Sequence, residues 1–262
     1  ETPPFRRFFG QNPGFPACLP ANIRNFGASS HTEMVGKRVI LSLAVCAVWC
    51  CACGGGDKPR PASDYEIWGI DVSRHQDVVS WKQVFRHEKP HFVFVKATEG
   101  TLIRDPMYRR HRKALEESGV LWGAYHFFGH RTSGKEQARN FIETARLKKG
   151  NLIPVLDIER HRFFKDPEKL VREANAFCRE IKREYGVYPI LYSSSKFYRT
   201  YLAEDFPPDR YRIWIADYSN IPEEGWEFWQ HTDSHRIRGV RGKVDRNVFA
   251  GSYDRLQKLV LR

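Results

Sequence analysis

The chain has 262 residues, of which 41% are hydrophobic and 14% aromatic, enough for one large domain or two small ones with a core that needs no disulfide or metal. Its formal net charge of +12 favours anionic partners such as nucleic acid, anionic lipid or cell-wall polymer. The basic residues are spread along the chain without a nucleic-acid motif, so diffuse solvated charge is the better reading and no nucleic-acid partner is expected.

The cysteines divide the chain. Cys46, Cys50, Cys51 and Cys53 crowd into one stretch, Cys18 lies upstream, and Cys178 stands alone in the long C-terminal part. Glu173-Ala-Asn-Ala-Phe-Cys178 reads as the apolar face of a helix, which makes Cys178 a buried structural thiol rather than a nucleophile. Met34-Val-Gly-Lys-Arg38 is basic, Val39 to Cys50 is apolar, and Cys51-Ala-Cys53 with three glycines follows. That is the layout of an export signal, and its apolar run falls short of the ~20 residues of a spanning helix. A cysteine at the exit resembles a bacterial lipoprotein signal, and Cys53, preceded by Ala52, is the expected lipidated residue. Plain secretion, or an anchor at Cys51, is the alternative. Residues 1–33 are then an upstream extension, expected to be disordered or absent from the mature protein, 34–53 the signal, 54–64 a linker and 65–262 the mature domain.

Within that domain apolar, strand-like runs recur at residues 66–72, 92–97, 121–128, 152–159, 188–193, 212–218, 227–232 and 244–249. Helical segments at 105–118, 133–147 and 166–185 separate the early runs. Asp105-Pro106 and Asp166-Pro167 supply N-caps with proline at the first helical position, and Gly119 and Gly186 supply C-caps. This β–α alternation implies a parallel sheet. After about residue 211 the gaps are short and rich in Pro, Gly and Arg, so the last strands are joined by loops and can run antiparallel. The fold class is α/β, an incomplete TIM-like barrel.

Polar groups cluster at the ends of these runs: Asp71, Lys96 with Glu99, Tyr125 with His126, Asp157 with Glu159, Tyr192, Asp217 with Tyr218, Gln230 and Asp245. The C-terminal strand ends of a parallel barrel ring one mouth, where catalytic residues collect. So many polar ends beside aromatics suggest a carbohydrate cleft, although a structural, hydrogen-bonded role for Asp71, Lys96 or Asp245 weighs nearly as much. Asp157 and Glu159 carry the strongest local signal. Residues i and i+2 of a strand share a face, with Cα atoms roughly 6.6 Å apart. Two carboxylates so placed raise each other's pKa, and one can stay protonated while the other is charged. Glycoside hydrolysis needs that division. No metal motif, phosphate loop or G-x-S-x-G occurs, so no metal and no cofactor are expected. His75, His126, His161 and His231 read as scattered cleft or surface residues.

Gly69-Ile-Asp-Val-Ser73 with Gln76, Lys96-Ala-Thr-Glu-Gly100, Gly123-Ala-Tyr-His-Phe127, Pro154-Val-Leu-Asp-Ile-Glu159, Tyr192-Ser193, Trp214-Ile-Ala-Asp-Tyr218, Trp229-Gln230 and Val244-Asp-Arg-Asn247 follow one another in an order that resembles glycoside hydrolase family 25, the lysozymes that act as N-acetylmuramidases. The resemblance implies five β/α units followed by three strands. It also implies cleavage of the β-1,4 bond between N-acetylmuramic acid and N-acetylglucosamine in peptidoglycan. By this likeness Glu159 is the general acid. Asp157 stabilises the reacting sugar or orients its N-acetyl group, and Asp71 and Asp245 match further acidic cleft positions. Tyr125, Tyr192, Trp214, Tyr218 and Gln230 are implied to line sugar subsites. The expected partners are peptidoglycan glycan strands and, through the anchor, a membrane; a monomer is expected. A non-catalytic wall-binding protein and a chitin-directed glycosidase are the rival readings.

Overall fold

The computed structural model describes residues 60–76, 79–159, 165–223 and 225–262. The signal-like stretch with Cys53, most of the linker, and His161 lie outside them.

Nine strands form one sheet. They are β1 (Trp68–Val72), β2 (Phe92–Glu99), β3 (Ile103–Arg104), β4 (Leu121–Phe127), β5 (Val155–Asp157), β6 (Ile190–Ser194), β7 (Ile213–Ala216), β8 (Phe228–His235) and β9 (Val244–Phe249). The neighbour order β1-β9-β8-β7-β6-β5-β4-β2-β3, with β1 also paired to β2, closes eight of them into a barrel. The ninth, β3, folds back on β2 as an antiparallel edge. The described helices are α1 (Trp81–His87), α2 (Tyr108–Glu116), α3 (Gly134–Ala145), α4 (Pro167–Tyr185), α5 (Ser195–Tyr201) and α6 (Tyr253–Gln257). Helices follow β1, β3, β4, β5 and β6, whereas none lies between β7 and β8 or β8 and β9 among the described residues. The expected change of pattern after residue 211 is therefore present. It is smaller than a switch to antiparallel strands: β8 still runs parallel to β7, and only β9 turns against its neighbours β8 and β1.

Local chemistry explains the helix limits. Asp166 caps α4 by accepting from the Lys169 amide at 2.9 Å, and Gly186 ends it at φ 77°, a left-handed conformation that costs glycine little. Ser133 caps α3 in the same way. Asp105 does not cap α2, whose first residue is Tyr108 with no side-chain cap. Its carboxylate instead accepts from the Met107 amide at 2.9 Å and the Arg74 amide at 3.0 Å, tying the exit of β1 to the start of α2. Cys178 lies buried in α4, as its apolar setting implied.

The barrel interior is filled by rings. Phe94 packs on Trp214 (centroids 4.9 Å apart), and Phe228 packs on Phe92 (5.2 Å) and Phe249 (4.9 Å). Gly69 makes room for them, because a Cβ there would sit 2.4 Å from the Phe92 carbonyl oxygen and 2.5 Å from its ring. The Gly69→Ala variant should lose about 1–3 kcal/mol of stability by overpacking, measured by urea unfolding.

Candidate active site

Strand periodicity decides which polar residues reach the barrel mouth. Asp71 lies two residues past Gly69, and its register partner on β9 is Asp245. Asp157 ends β5, paired on one side with Phe127 and on the other with Tyr192. The expected strand at 152–159 shortens to Val155–Asp157, so Glu159 stands just beyond its end, half-buried. A bulge in β2 between Lys96 and Thr98 breaks the alternation of side chains. Strict alternation would put Lys96 and Glu99 on opposite faces. The extra residue brings them together, with Lys96 Nζ 2.8 Å from Glu99 and 4.7 Å from the Phe127 ring centre.

A buried hydrogen-bond network joins β1, β6, β8 and β9. Asp71 Oδ2 accepts from Gln230 Nε2 and from Asn247 Nδ2, both at 2.8 Å. Gln230 Oε1 accepts from the hydroxyls of Tyr192 at 2.9 Å and Tyr218 at 2.6 Å. Asn247 Oδ1 accepts from Trp214 Nε1 at 2.9 Å. Asn247 belongs to the site though sequence reasoning assigned it no role. The signal was available, since it lies two residues past Asp245 and shares its face.

Burial dominates the electrostatics. It raises the Asp157 carboxyl well above the ordinary carboxylate range, and the charge of Glu159 raises it further against the opposing pull of Lys96. Asp157 Oδ1 is buried without a hydrogen-bond partner. Burial also raises Asp71, although its bonds to Asn247, Gln230 and Asp245 pull the other way. Burial, then the charges of Asp71, Asp157 and Asp245, keeps the Tyr125 hydroxyl protonated. Burial and Glu159 do the same for Tyr192. The mouth therefore holds several acids of differing proton affinity beside hydroxyls that stay donors.

Two expected sugar contacts, His126 and Trp214, are buried away from solvent, and a third, Asp217, also shapes its own loop. His126 neighbours Tyr125 on β4 and so faces the opposite way, toward the helices. Its ring is fully buried, stacked on Phe177 of α4 and bonded to Thr98 Oγ1 (2.7 Å) and Gln137 Oε1 (3.0 Å). Trp214 is 2% exposed and forms part of the interior floor, out of reach of a sugar face. Asp217 shapes the loop after β7: its Oδ1 accepts from the Ser219 and Asn220 amides at 3.1 and 2.9 Å. The backbone oxygen of Asp217 accepts from Trp229 Nε1 at 2.8 Å. That loop presents Tyr218, which is 43% exposed and bonded to Gln230.

A barrel whose mouth gathers buried carboxylates over an aromatic floor is the architecture of a glycoside hydrolase. The family model for glycosyl hydrolases family 25 matches residues 70–240, and the chain belongs to that family. It is 38% identical over 208 residues to the uncharacterized protein YegX of Escherichia coli K12, covering 76% of this chain and 75% of that one. It is 28% identical over 225 residues to lysozyme M1 of Streptomyces globisporus, covering 79% and 76%. The fold is similar to that of a family 25 glycosyl hydrolase from Bacillus anthracis, with TM-score 0.71 and 28% identity over 79% of this chain and 99% of that one.

His126 carries a stability consequence. Gln137 Nε2 donates to Gly129 O (2.9 Å) and its Oε1 accepts from the Gly129 amide (2.7 Å), which fixes the amide and makes His126 Nε2 the donor. His126 Nδ1 then accepts from Thr98, a neutral tautomer. Burial lowers its pKa from 6.5 to about 4. The unfolded chain takes up the proton first, so stability is full above pH 6.5 and falls as the pH drops toward 4. Between pH 7 and 5 the His126→Gln variant should lose about 2 kcal/mol less than the parent chain, read by urea unfolding at both values.

Proposed function

We propose that this glycoside hydrolase is a muramidase that cuts the β-1,4 bond between N-acetylmuramic acid and N-acetylglucosamine in peptidoglycan, with Glu159 as general acid. The observation that supports the reading is a pair of acids at the end of β5: Asp157 is buried with its Oδ1 unpartnered, and Glu159 stands half-buried just beyond the strand end. Lysozyme M1 and the other muramidase relatives support the substrate class. Glu159 gives its proton to the leaving glycosidic oxygen as the bond to the anomeric carbon breaks. Water then adds to the anomeric carbon, and Glu159 takes back a proton from it. We infer retention of configuration, because attack by the substrate's own acetamido oxygen followed by water inverts the anomeric carbon twice.

Asp157 supports the positive charge at the reacting sugar. The unpartnered, buried Oδ1 favours one way of doing so: it accepts the N–H of the substrate's acetamido group. The acetamido oxygen then attacks the anomeric carbon, and water later opens the resulting ring. Tyr125, Tyr192, Tyr218, Lys96 and Glu99 contact the sugars around this centre, while Asp71 and Asp245 complete the acidic cleft.

Glu159→Gln is nearly isosteric and should lower the rate of lysis of purified cell walls by about 10²–10⁴. Near-normal lysis would remove Glu159 from the acid role. Mass analysis of fragments released by the parent chain should show N-acetylmuramic acid at the new reducing ends.

We further propose that the protein is exported and anchored by a lipid on Cys53. Among the described residues no helix is long and apolar enough to cross a membrane. Mass spectrometry of the protein made in its native host should find a diacylglyceryl cysteine at the mature N-terminus; an unmodified residue beyond Cys53 would rule the anchor out.

A further inference from the structure

The β8–β9 hairpin runs on past the mouth. Gln230 and Asn247 are paired at the mouth, and β8 continues beyond them to His235, which pairs with Val244. Residues 234–244 include Arg236, Arg238, Arg241 and Lys243 and no acid, although Asp233 and Asp245 flank them. All four cations are exposed. None of their side chains is joined to another of the described residues by a hydrogen bond or an ion pair.

The backbone that carries these cations is fixed. Gln76 folds back after β1: its Oε1 accepts from the Ser73 amide at 3.0 Å, and its Nε2 donates to the Lys243 carbonyl at 3.2 Å. The Ser80 amide donates to the Gly239 carbonyl at 2.7 Å, Val79 bridges to Val240, and Glu88 Oε1 accepts from the Arg238 amide at 2.9 Å. Gly239 has φ 94°, and a Cβ there would sit 2.7 Å from the Ser80 carbonyl oxygen, so glycine alone allows the approach. Ile237 is buried, with the exposed Arg236 and Arg238 on either side of it. The hairpin is therefore a rigid rim whose charges point to solvent.

Position gives this charge a role. Lys243 lies two residues before Asp245, roughly 7 Å along an extended chain. That is inside the ~8–10 Å over which charges act at ordinary salt. Neutral sugars need no countercharge. A wall strand, however, is an anion: N-acetylmuramic acid carries, through its lactyl group, a short peptide with free carboxylates. The mouth gathers Asp71, Asp157, Glu159 and Asp245, and any of these that ionises repels such a strand. Cations beside the mouth offset that repulsion and orient the strand.

We propose that the hairpin at 236–243 is a binding rim for the carboxylates of the peptides borne by the glycan strand, and that it makes peptide-bearing strands the preferred substrate. The inference rests on the muramidase reading of the cleft and names the part of the substrate that lies outside it.

The test is co-sedimentation of the full-length chain with purified insoluble peptidoglycan, in short incubations on ice. The wall is used before and after its carboxyl groups are converted to neutral amides with a carbodiimide and ethanolamine. The parent chain should bind native wall about tenfold more tightly than amidated wall, each exposed ion pair contributing a small factor. The difference should shrink between about 0.05 M and about 0.5 M salt. Replacing Arg236, Arg238, Arg241 and Lys243 together by glutamine should weaken binding to native wall about tenfold and change binding to amidated wall less than about twofold. The parent arm needs no mutation and decides the matter if the variant does not fold. Equal binding of the two walls by the parent chain, or undiminished binding of native wall by the folded variant, would overturn the proposal. So would a loss confined to phosphatidylglycerol vesicles, which would put a membrane on the hairpin instead. Release of reducing ends from the same wall at working temperature tests the muramidase reading separately: a chain that cuts nothing overturns that reading and leaves the binding result standing.

Discussion

The site depends on placing carboxylates where water is scarce. Asp71 and Asp157 are each 6% exposed and stand at the rim of a barrel filled with aromatic rings. Burying an ionised carboxylate is costly unless donors meet it, and the two acids are treated differently. Asp71 has two amide donors on one oxygen, while Asp157 keeps an unpartnered one. One acid is satisfied within the protein and the other keeps an oxygen with no hydrogen-bond partner. Rigid support for such a difference comes from strands, whose side chains are set by register rather than by loop conformation.

The closing strands serve this arrangement. β9 turns antiparallel between β8 and β1, and so delivers Asp245 and Asn247 to the mouth from the opposite chain direction. Helices cover the outside where β1 to β7 run, and His126 is part of that packing rather than of the cleft. The bulge in β2 does by one extra residue what alternation forbids, joining Lys96 to Glu99. The glycine at position 69 lets Phe92 approach β1 directly beneath Asp71. Packing and chemistry are therefore coupled along single strands.

Much of this was legible in the sequence because strands and capped helices leave strong patterns. The eight apolar runs correspond to the eight barrel strands, and the Asp166-Pro167 start and Gly186 stop of α4 agree with the structure. The period-2 rule put Asp157 and Glu159 on one face, whereas the strand ends at Asp157 and Glu159 lies in the segment beyond it. The same rule, applied to Tyr125 and His126, would have excluded His126, because adjacent strand residues cannot share a face. The loop role of Asp217 and the depth of Trp214 were hidden for other reasons. A loop-forming aspartate looks like a cleft aspartate until its backbone partners are seen, and a tryptophan on a strand gives no sign of its depth in the barrel. The bulge in β2 shows only against its partner strand β4, and the bonds of Asn247 and Gln230 to Asp71 join residues more than a hundred positions apart, which local patterns do not encode.

The central claim is that the mouth holds Asp157 at a cost to stability for the sake of the reaction. Raised carboxyl groups oppose folding as the pH climbs above the unfolded value of 3.8, because the folded chain must either keep the proton that the unfolded chain releases or bury the charge. The most direct test combines thermal unfolding at pH 7 with cell-wall lysis for Asp157→Asn. The account predicts a variant that melts several degrees higher than the parent chain and has lost most of its lytic activity. A variant that melts lower, or that lyses walls at the parent rate, would contradict it.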